Sequence, residues 1–319
     1  MTKARNLSLL SAVEAAATAD QTKADLNAIG VSGGRKNLII NGGMDVWQRG
    51  TSFTSSGSGT YIADRWYCYS SIESATRVLL SETNQYGLAI SNTSNSSLTI
   101  GQKIEDVSIV SGKALTVSFK GKSTTSQQIR VYGYYYDTSG SLITSGSIGT
   151  VTLSTSLTDY AVSFTAPDLS ASSIKGTTSY MLLRFDTTAV NTTNYTLTEL
   201  QLELGSVATD FEHRSYGEEL ALCQRYFEWV CQAGDSIGGS EGWSGGSYVP
   251  YKLQVEKRAS PTITPLGSAY IFDAGGAHLY NTIGTGAIGV RSGELWLAGT
   301  PRDGFVRSNT ATVSSSAEL

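Results

Sequence analysis

The sequence predicts a mostly β protein built around an antiparallel β-sandwich. Charged residues make up 16% of the 319-residue chain, below the roughly 25% typical of soluble domains. The chain contains 34 glycines and 5 prolines, and 40% of its residues are hydrophobic, which is enough for a sizeable core. From Asn37 onward, segments of about 5–8 residues with strand patterning are separated by clusters of Gly, Ser, Asn and Thr. This spacing of strands and turns is typical of an antiparallel sandwich.

Residues 1–36 are predicted to form a helical segment that needs a partner. Residues 7–29 are rich in alanine, leucine and polar helix formers and contain neither glycine nor proline. The middle of the helical stripe is alanine and polar, so the helix would gain little by folding in isolation. Two interpretations are open: a frayed terminus, or an anchor that packs with other copies of the chain.

Residues 37–215 are predicted to form the sandwich, with Asn37–Asn41 as its opening strand. Leu115–Phe119 and Tyr195–Leu204 alternate between apolar and polar residues, so each should bury one face against a second sheet. Further strands are expected at Asp64–Tyr69, Ala75–Leu80, Gly87–Ser91, Leu98–Ile104, Ala114–Lys120, Ile129–Tyr136, Tyr160–Thr165 and Tyr180–Asp186.

Residues 216–319 are predicted to form a connecting helix and a smaller C-terminal β domain. Leu220, Cys223 and Phe227 share one face of a helix over Tyr216–Trp229. The glycine-rich stretch that follows, residues 238–247, is expected to be a loop. Short strands are expected at Tyr248–Val255, Ala269–Phe272, Ala287–Arg291 and Gly293–Ala298.

Charge and hydropathy exclude several classes of protein. The formal net charge of −4 argues against nucleic acid as a partner, because a domain that coats nucleic acid carries a concentrated face of Lys and Arg. No stretch approaches the ~18 apolar residues of a membrane span, and the N-terminus lacks the apolar core of a secretion signal. Cys68, Cys223 and Cys231 lack the spacing of a zinc site and are expected to be reduced and buried. We therefore expect synthesis in a cytoplasm and no membrane insertion.

Several segments resemble bacteriophage tail fibre and tail spike proteins. Residues 37–53, NLIINGGMDVWQRGTSF, and 61–66, YIADRW, are similar to the opening of the carbohydrate-binding-module-like jelly roll of those proteins. Residues 200–214, LQLELGSVATDFEHR, and 219–227, ELALCQRYF, are similar to its closing strand and the helix after it. RASPTIT at 258–264 is similar to a segment of the domain that follows in such fibres.

This resemblance implies a trimeric virion protein whose sandwich is a jelly roll. Residues 1–36 would attach the homotrimer to phage tail or adaptor proteins, and the C-terminal domain would contact host surface polysaccharide or protein. Large aromatic anchors and charge-assisted hydrogen bonds favour a scaffold role for the motif residues themselves. These are Trp47, Arg49, Asp64, Arg65 and Trp66.

Two other functions are kept as alternatives. One is a carbohydrate-binding module that accompanies a polysaccharide-degrading enzyme. The other is a tail spike that depolymerises capsule, which usually needs a long repetitive β-helix that the sequence does not show.

The sequence predicts no catalytic residues, and the protein is predicted not to be an enzyme. A glycosidase needs two carboxylates about 5–10 Å apart, whereas Glu199 and Glu203 would lie roughly 13 Å apart along one strand face. Glu105 and Asp106 would point to opposite faces of an extended segment. No G-x-S-x-G motif is present.

No cofactor is expected, although a structural calcium ion is a weaker possibility. Carbohydrate modules of the jelly-roll type often carry one, and hard oxygen ligands are what Ca²⁺ prefers. The side chains that could supply such ligands are Asn41, Asp45 and Glu203.

Aromatic residues are the candidates for recognising a glycan, because their rings can stack on the apolar faces of sugars. Trp243, Tyr248 and Tyr251 follow or lie in the glycine-rich stretch and are expected on adaptable loops. In residues 131–136, Tyr134 shares a strand face with Tyr132 and Tyr136, while Val131 and Tyr135 take the other. Either face could be the core, and core packing is the commoner role for such a ladder.

Overall fold

A computed structural model describes residues 35–54, 59–70, 73–92, 98–187, 193–243, 245–309 and 312–318. The helix predicted within residues 7–29 lies outside these residues. The described chain is mostly β, and its paired strands are antiparallel. In this part of the chain, no helix has the length and apolar character needed to span a membrane.

The chain divides into two compact units. The first comprises the residues up to Asp45 together with Gly50–Arg214, and the second comprises Val46–Arg49 together with Ser215–Leu319.

The first unit contains a 3₁₀ turn at Val107–Ile109 and two six-stranded sheets. Its strands are β1 Ser52–Phe53, β2 Thr60–Tyr61, β3 Tyr67–Cys68, β4 Ser74–Leu80, β5 Gln85–Asn92, β6 Thr99–Glu105, β7 Ala114–Ser123, β8 Gln127–Tyr136, β9 Leu142–Leu153, β10 Thr158–Thr165, β11 Tyr180–Thr187 and β12 Thr193–Leu204. The first sheet has the order β1-β4-β5-β12-β7-β10, and the second has the order β2-β3-β6-β11-β8-β9.

The two sheets pack face to face as a sandwich. Phe119 on β7 of the first sheet meets Phe185 on β11 of the second, with ring centroids 5.6 Å apart in an edge-to-face contact. Trp66 is fully buried and its ring centroid lies 6.1 Å from that of Phe185. Leu115 and Val117 on β7 are buried in the same core, as the sequence predicts, and Thr116 between them is buried as well.

One prediction about this unit is wrong, and one strand is missing from the predicted set. Residues 37–41 do not form a strand but a bent segment, which is held beside β12 by a 2.8 Å hydrogen bond from the Leu38 amide to the Leu202 carbonyl oxygen. The missing strand is β9, whose Ser, Thr and Gly residues lack the apolar alternation of a half-buried strand. Pairing with β8 along nearly its whole length holds this polar stretch extended at the sheet edge.

The second unit contains one nine-residue helix, α1 Tyr216–Gln224, within its described residues. Its strands are β13 Phe227–Cys231, β14 Ser236–Trp243, β15 Gly246–Lys252, β16 Thr262–Leu266, β17 Ala269–Asp273, β18 Gly276–Tyr280, β19 Ile283–Ile288, β20 Ser292–Ala298, β21 Gly304–Ser308 and β22 Thr312–Ser316. They form a three-stranded sheet, β13-β22-β16, and a seven-stranded sheet, β18-β17-β21-β14-β15-β20-β19.

The structure corrects the helix and the loop predicted in this unit. Ser215 caps α1 by accepting a hydrogen bond from the Glu218 amide, but the helix ends at Gln224 because Phe227 already pairs with Ser316 of β22. The glycine-rich stretch from residue 238 to 247 is not a loop: it forms much of β14 and the start of β15, which pair with each other. Long-range pairing overrides the local preference in both places.

Candidate functional site

The segments that carry the resemblance to phage proteins are joined to each other by hydrogen bonds. The Asn37 side chain accepts a bond from the Leu202 amide and donates one to the Leu200 carbonyl oxygen, at 3.1 Å each. The Arg214 guanidinium bonds the Asn37 and Ile39 carbonyl oxygens. These contacts close the first unit on itself, so the side chains in them serve the scaffold.

The predicted scaffold residues are also engaged inside their own units. The Trp66 indole donates to the Asn41 carbonyl oxygen at 3.0 Å, and Arg65 donates to the Lys103 carbonyl oxygen at 2.6 Å. In the second unit, the Arg49 guanidinium lies 3.6 Å from the centroid of the Phe227 ring and 3.0 Å from the Glu318 carboxylate.

The outer face of the second sheet of the first unit carries most of that sheet's tyrosine residues. The sequence leaves open which face of β8 is the core. In the structure Val131 and Tyr135 are buried, with 0% and 3% of their surface exposed. Tyr132, Tyr134 and Tyr136 therefore point away from the core and are half-buried.

Strand register extends this row of rings across the sheet. On β11, Arg184 lies opposite Tyr132, and Tyr180 lies opposite Tyr136. Arg184 also lies opposite Gly101 of β6, which in turn is paired with Tyr67 of β3. Residues that face each other across antiparallel strands share a face. We call this surface the tyrosine face, and it comprises Tyr61, Tyr67, Tyr69, Tyr132, Tyr134, Tyr136 and Tyr180, with the cations Lys103, Arg130 and Arg184.

Cations separate and orient the rings of the tyrosine face. The guanidinium of Arg184 lies 4.9 Å from the ring centroid of Tyr134 and 5.5 Å from that of Tyr69. The Lys103 ammonium lies 4.7 Å from the ring of Tyr180. Arg184 is fixed in turn by an ion pair with Asp186 at 3.2 Å. Such contacts are attractive because a ring face is electronegative.

The rings also contact each other. Tyr136 and Tyr180 are stacked with centroids 4.5 Å apart, and Tyr67 meets Tyr69 edge to face at 4.7 Å. Burial raises the pKa values of the Tyr69 and Tyr180 phenols above their usual range. These two phenols stay neutral near pH 7 and keep their hydroxyl protons available for donation. The surface therefore offers flat aromatic area, hydroxyl groups and fixed cations together.

Sequence reasoning found only part of this surface. Tyr134 was predicted as a candidate and lies near its middle. Tyr69, Tyr180, Lys103 and Arg184 were not singled out. The alternation of Tyr180, Leu182 and Arg184 within one expected strand was the available signal, but its significance depends on the register with β8.

The other predicted recognition residues are not brought together on an exposed loop. Tyr248 and Tyr251 lie on β15, where Tyr248 is half-buried. Tyr251 is 5% exposed and belongs to the core of the second unit. The prediction that its side chain is exposed is therefore wrong, because the sheet places that side chain on the inner face. Trp243 lies in β14, and its side chain falls outside what the structure describes.

The proposed calcium ligands have other partners. The Asn41 amide donates to the Asp64 carbonyl oxygen at 3.0 Å. The Glu203 carboxylate accepts bonds from the amide and hydroxyl of Thr209 and from Gln201. Burial raises the pKa of the Asp45 carboxyl, which disfavours its charged form. Among the described residues, no group of three or more His, Cys, Asp or Glu side chains is placed to hold a metal ion.

The remaining acidic candidates serve the fold. Glu199 sits at a bulge of β12 with a φ of 51° and pairs with the Lys120 ammonium at 2.5 Å. Asp106 precedes the 3₁₀ turn and accepts a bond from the Ser108 amide at 3.2 Å.

Solved structures that are similar to parts of this chain include carbohydrate-binding modules and a phage tailspike domain. No family model matches the sequence, and no curated protein matches it. The enzymatically active domain of bacteriophage CBA120 tailspike protein 4 is 16% identical, with a TM-score of 0.35, over 53% of this chain and 21% of that chain. The CBM22-1 xylan-binding domain of Paenibacillus barcinonensis Xyn10C is 10% identical, with a TM-score of 0.35, over 48% of this chain and 100% of that domain.

A third similar structure is TmCBM61 in complex with β-1,4-galactotriose, which is 12% identical, with a TM-score of 0.32, over 54% of this chain and 100% of that chain. The match with the tailspike structure covers about a fifth of the length of that solved chain.

Proposed function

We propose that the protein binds carbohydrate through the tyrosine face of its first unit. The observation that carries the proposal is the concentration of half-exposed tyrosine rings and cations on one side of a single sheet. An aromatic ring can cover the apolar face of a sugar, while its hydroxyl and a neighbouring guanidinium bond the sugar's hydroxyl groups.

The geometry favours recognition because the rings are already ordered. The Arg184 guanidinium lies between the rings of Tyr69 and Tyr134, 5.5 Å from the centroid of the first and 4.9 Å from that of the second. The Tyr180 ring stacks on the Tyr136 ring and also contacts the Lys103 ammonium. A surface of rings held in place on strands loses little side-chain entropy when a ligand binds. An extended glycan chain suits this arrangement, because the rings span several neighbouring strands.

Replacing Tyr134 with alanine tests the proposal. We expect Tyr134→Ala to weaken binding at least about tenfold, which corresponds to about 1.4 kcal/mol, because the ring beside Arg184 is lost. A glycan array that includes bacterial surface polysaccharides would identify the ligand, and titration calorimetry would measure its affinity.

The matched control is Tyr86→Ala on the first sheet. Tyr86 is also a surface tyrosine beside an arginine, with the Arg77 guanidinium 4.4 Å from its ring centroid. Its removal should leave glycan affinity unchanged. Equal affinity of the Tyr134→Ala variant and the parent protein, in a folded sample, would place the binding site elsewhere.

We further propose that this binding serves a bacteriophage tail fibre. In this role the protein is a homotrimer located in the virion, attached through residues 1–36, and it contacts host surface polysaccharide. The resemblance of residues 37–53, 61–66, 200–214 and 219–227 to such proteins supports this assignment. Weak sites repeated over a trimer and over several fibres give an avidity that a single site lacks.

Light scattering coupled to gel filtration tests the assembly. A trimer predicts a mass about three times that of the 33.8 kDa chain. Removing residues 1–36 should abolish incorporation into phage particles while leaving glycan binding intact. A monomer that still binds glycan would favour the alternative of a free carbohydrate-binding module.

The proposed role includes no catalytic step. The acidic side chains considered for catalysis are committed to ion pairs and hydrogen bonds, as for Glu199 with Lys120. Incubation with the polysaccharide that binds should therefore release no new reducing ends. Their release would instead support a depolymerising spike.

A further inference from the structure

The side of the sheet that carries the tyrosine face has more cations than carboxylates. Three neighbouring strands supply its charged residues, which are Lys103 and Glu105 on β6, Arg130 on β8, and Arg184 and Asp186 on β11. All five point to the outer side, because β6 and β8 each pair with β11 in a continuous register. Three cations against two carboxylates leave an excess positive charge here, although the net charge of the whole chain is −4.

Arg130 is the cation of this group that forms no ion pair within the described residues. Asp186 lies opposite Arg130 in the register of β8 and β11, but its carboxylate pairs with the Arg184 guanidinium at 3.2 Å. The Arg130 guanidinium has a neutral neighbour instead, the ring of Tyr132, whose centroid lies 5.5 Å away. The strongest partner for a guanidinium, an anion, is therefore missing at Arg130.

A ligand can reach the end of the Arg130 guanidinium. Its Nε atom is buried without a hydrogen-bond partner, so this atom is closed to a ligand. The two Nη atoms are not among the buried atoms without a partner, and nothing in the described chain bonds them, so they are open to solvent. The N–H groups of a guanidinium match the oxygens of a carboxylate or a phosphate group.

Arg130 also lies next to the rings that would stack on a sugar. Tyr132 follows it on the same face of β8, and the ring centroids of Tyr132 and Tyr134 lie 6.2 Å apart. The edge strand β9 adds exposed hydroxyl groups, because Thr150 lies opposite Arg130 and Ser147 lies opposite Tyr132. A glycan that stacks on Tyr132 would therefore bring a neighbouring sugar to the guanidinium.

We propose that the ligand of the tyrosine face is an anionic glycan, whose carboxylate or phosphate group pairs with the Nη atoms of Arg130 while a neighbouring sugar stacks on Tyr132. This inference rests on the proposed function and adds the charge of the ligand to it. A neutral glycan would leave the Arg130 charge without an anionic partner. The negative charge of the rest of the chain would also direct an acidic polymer towards this face.

An array of bacterial polysaccharides in three classes tests the inference. The classes are polymers that contain uronic acids, polymers that contain phosphate groups, and neutral polymers. We expect binding to at least one acidic class and none to the neutral class, and the class that binds distinguishes a carboxylate from a phosphate ligand.

The polymer that binds is then titrated against the parent protein and Arg130→Gln. We expect Arg130→Gln to lower the affinity at least about tenfold. Raising the salt concentration from about 0.1 M to about 1 M should weaken binding by the parent more than binding by the variant, because salt screens charge pairs. Arg130→Lys keeps the charge but lacks the planar fork, so its loss should be smaller than that of Arg130→Gln.

Arg77→Gln is the matched control for these substitutions. Arg77 is also half-buried beside a tyrosine ring, 4.4 Å from the centroid of Tyr86, but it lies on the first sheet. Its substitution should leave the affinity unchanged. Arg130→Gln should melt close to the temperature of the parent, because no ion pair or hydrogen bond of this guanidinium within the described chain is lost.

Three results would overturn the inference. They are binding to neutral polymers only, an affinity for an acidic polymer that Arg130→Gln leaves unchanged, and an equal loss of affinity in Arg77→Gln. The proposed function survives each of them as long as Tyr134→Ala weakens the binding that is seen. Binding to no polysaccharide of any class would instead refute the proposed function, and this inference with it.

Discussion

Replacing Gly42 with alanine is expected to destabilise the first unit by about 3–4 kcal/mol. A Cβ atom at this position would lie 2.0 Å from the Leu200 carbonyl oxygen. That atom belongs to the backbone of a central strand and cannot rotate away. Because the two segments lie this close, the Leu200 amide donates a 3.0 Å hydrogen bond to the Gly42 carbonyl oxygen. A side chain at residue 42 would push the segments apart and weaken this bond. Urea denaturation followed by circular dichroism measures the loss.

Gly146→Ala provides the comparison for this prediction. Gly146 also lies in a strand of the first unit, but nothing lies within 4 Å of a Cβ built there. Its substitution should change the free energy of unfolding by less than about 1 kcal/mol. Similar stability of the two variants would mean that the opening segment does not approach β12 as closely as the structure shows.

Removing one partner of the buried ion pair in the second unit is the other substitution with a large expected effect. The Lys257 ammonium and the Glu228 carboxylate lie 3.5 Å apart, with 0% and 2% of their side chains exposed. Glu228 also accepts a 3.0 Å bond from the Gln254 amide. Burial lowers the pKa of Lys257 and raises that of Glu228, yet each partner favours the charged form of the other. Lys257→Met leaves a buried carboxylate uncompensated and should cost about 3–5 kcal/mol.

A double substitution separates pairing from packing at this site. Glu228→Gln combined with Lys257→Met removes both charges, so the pair of changes should cost less than Lys257→Met alone. Arg291→Met breaks the exposed pair of Arg291 with Glu256, whose side chains are 76% and 49% exposed. That loss should stay below about 1 kcal/mol. Scanning calorimetry of the parent protein, Lys257→Met, the double variant and Arg291→Met measures the order of their stabilities. If the double variant were less stable than Lys257→Met, the uncompensated charge of Glu228 would not be the main cause of the destabilisation by Lys257→Met.

The strands of the sandwich could be predicted where a core face imposes alternation. Leu115, Val117 and Phe119 are buried on β7 as their spacing indicates. Strand β9 could not be predicted, because an edge strand with polar side chains is set by pairing with β8 and not by its own pattern. The same holds for the glycines of β14, which extend because β15 and β21 lie beside them.

The candidate site was harder to predict than the strands, for a geometric reason. Alternation shows that Tyr132, Tyr134 and Tyr136 share a face, but it does not say whether that face points inward. In the structure Val131 and Tyr135 are buried, so the face with Tyr132, Tyr134 and Tyr136 points outward. The position of Arg184 between rings from two different strands depends on register, which local sequence specifies weakly.

The raised pKa values of the Tyr69 and Tyr180 phenols have a consequence for the environments in which the tyrosine face can work. Burial keeps both phenols neutral well into the alkaline range. Glycan affinity should therefore be nearly constant between about pH 6 and pH 9, as reference pKa values for these groups indicate. The proposed glycan binding should therefore not change as the pH varies within this range. Mild alkali would not elute a bound polysaccharide from immobilised protein, whereas a competing soluble sugar would.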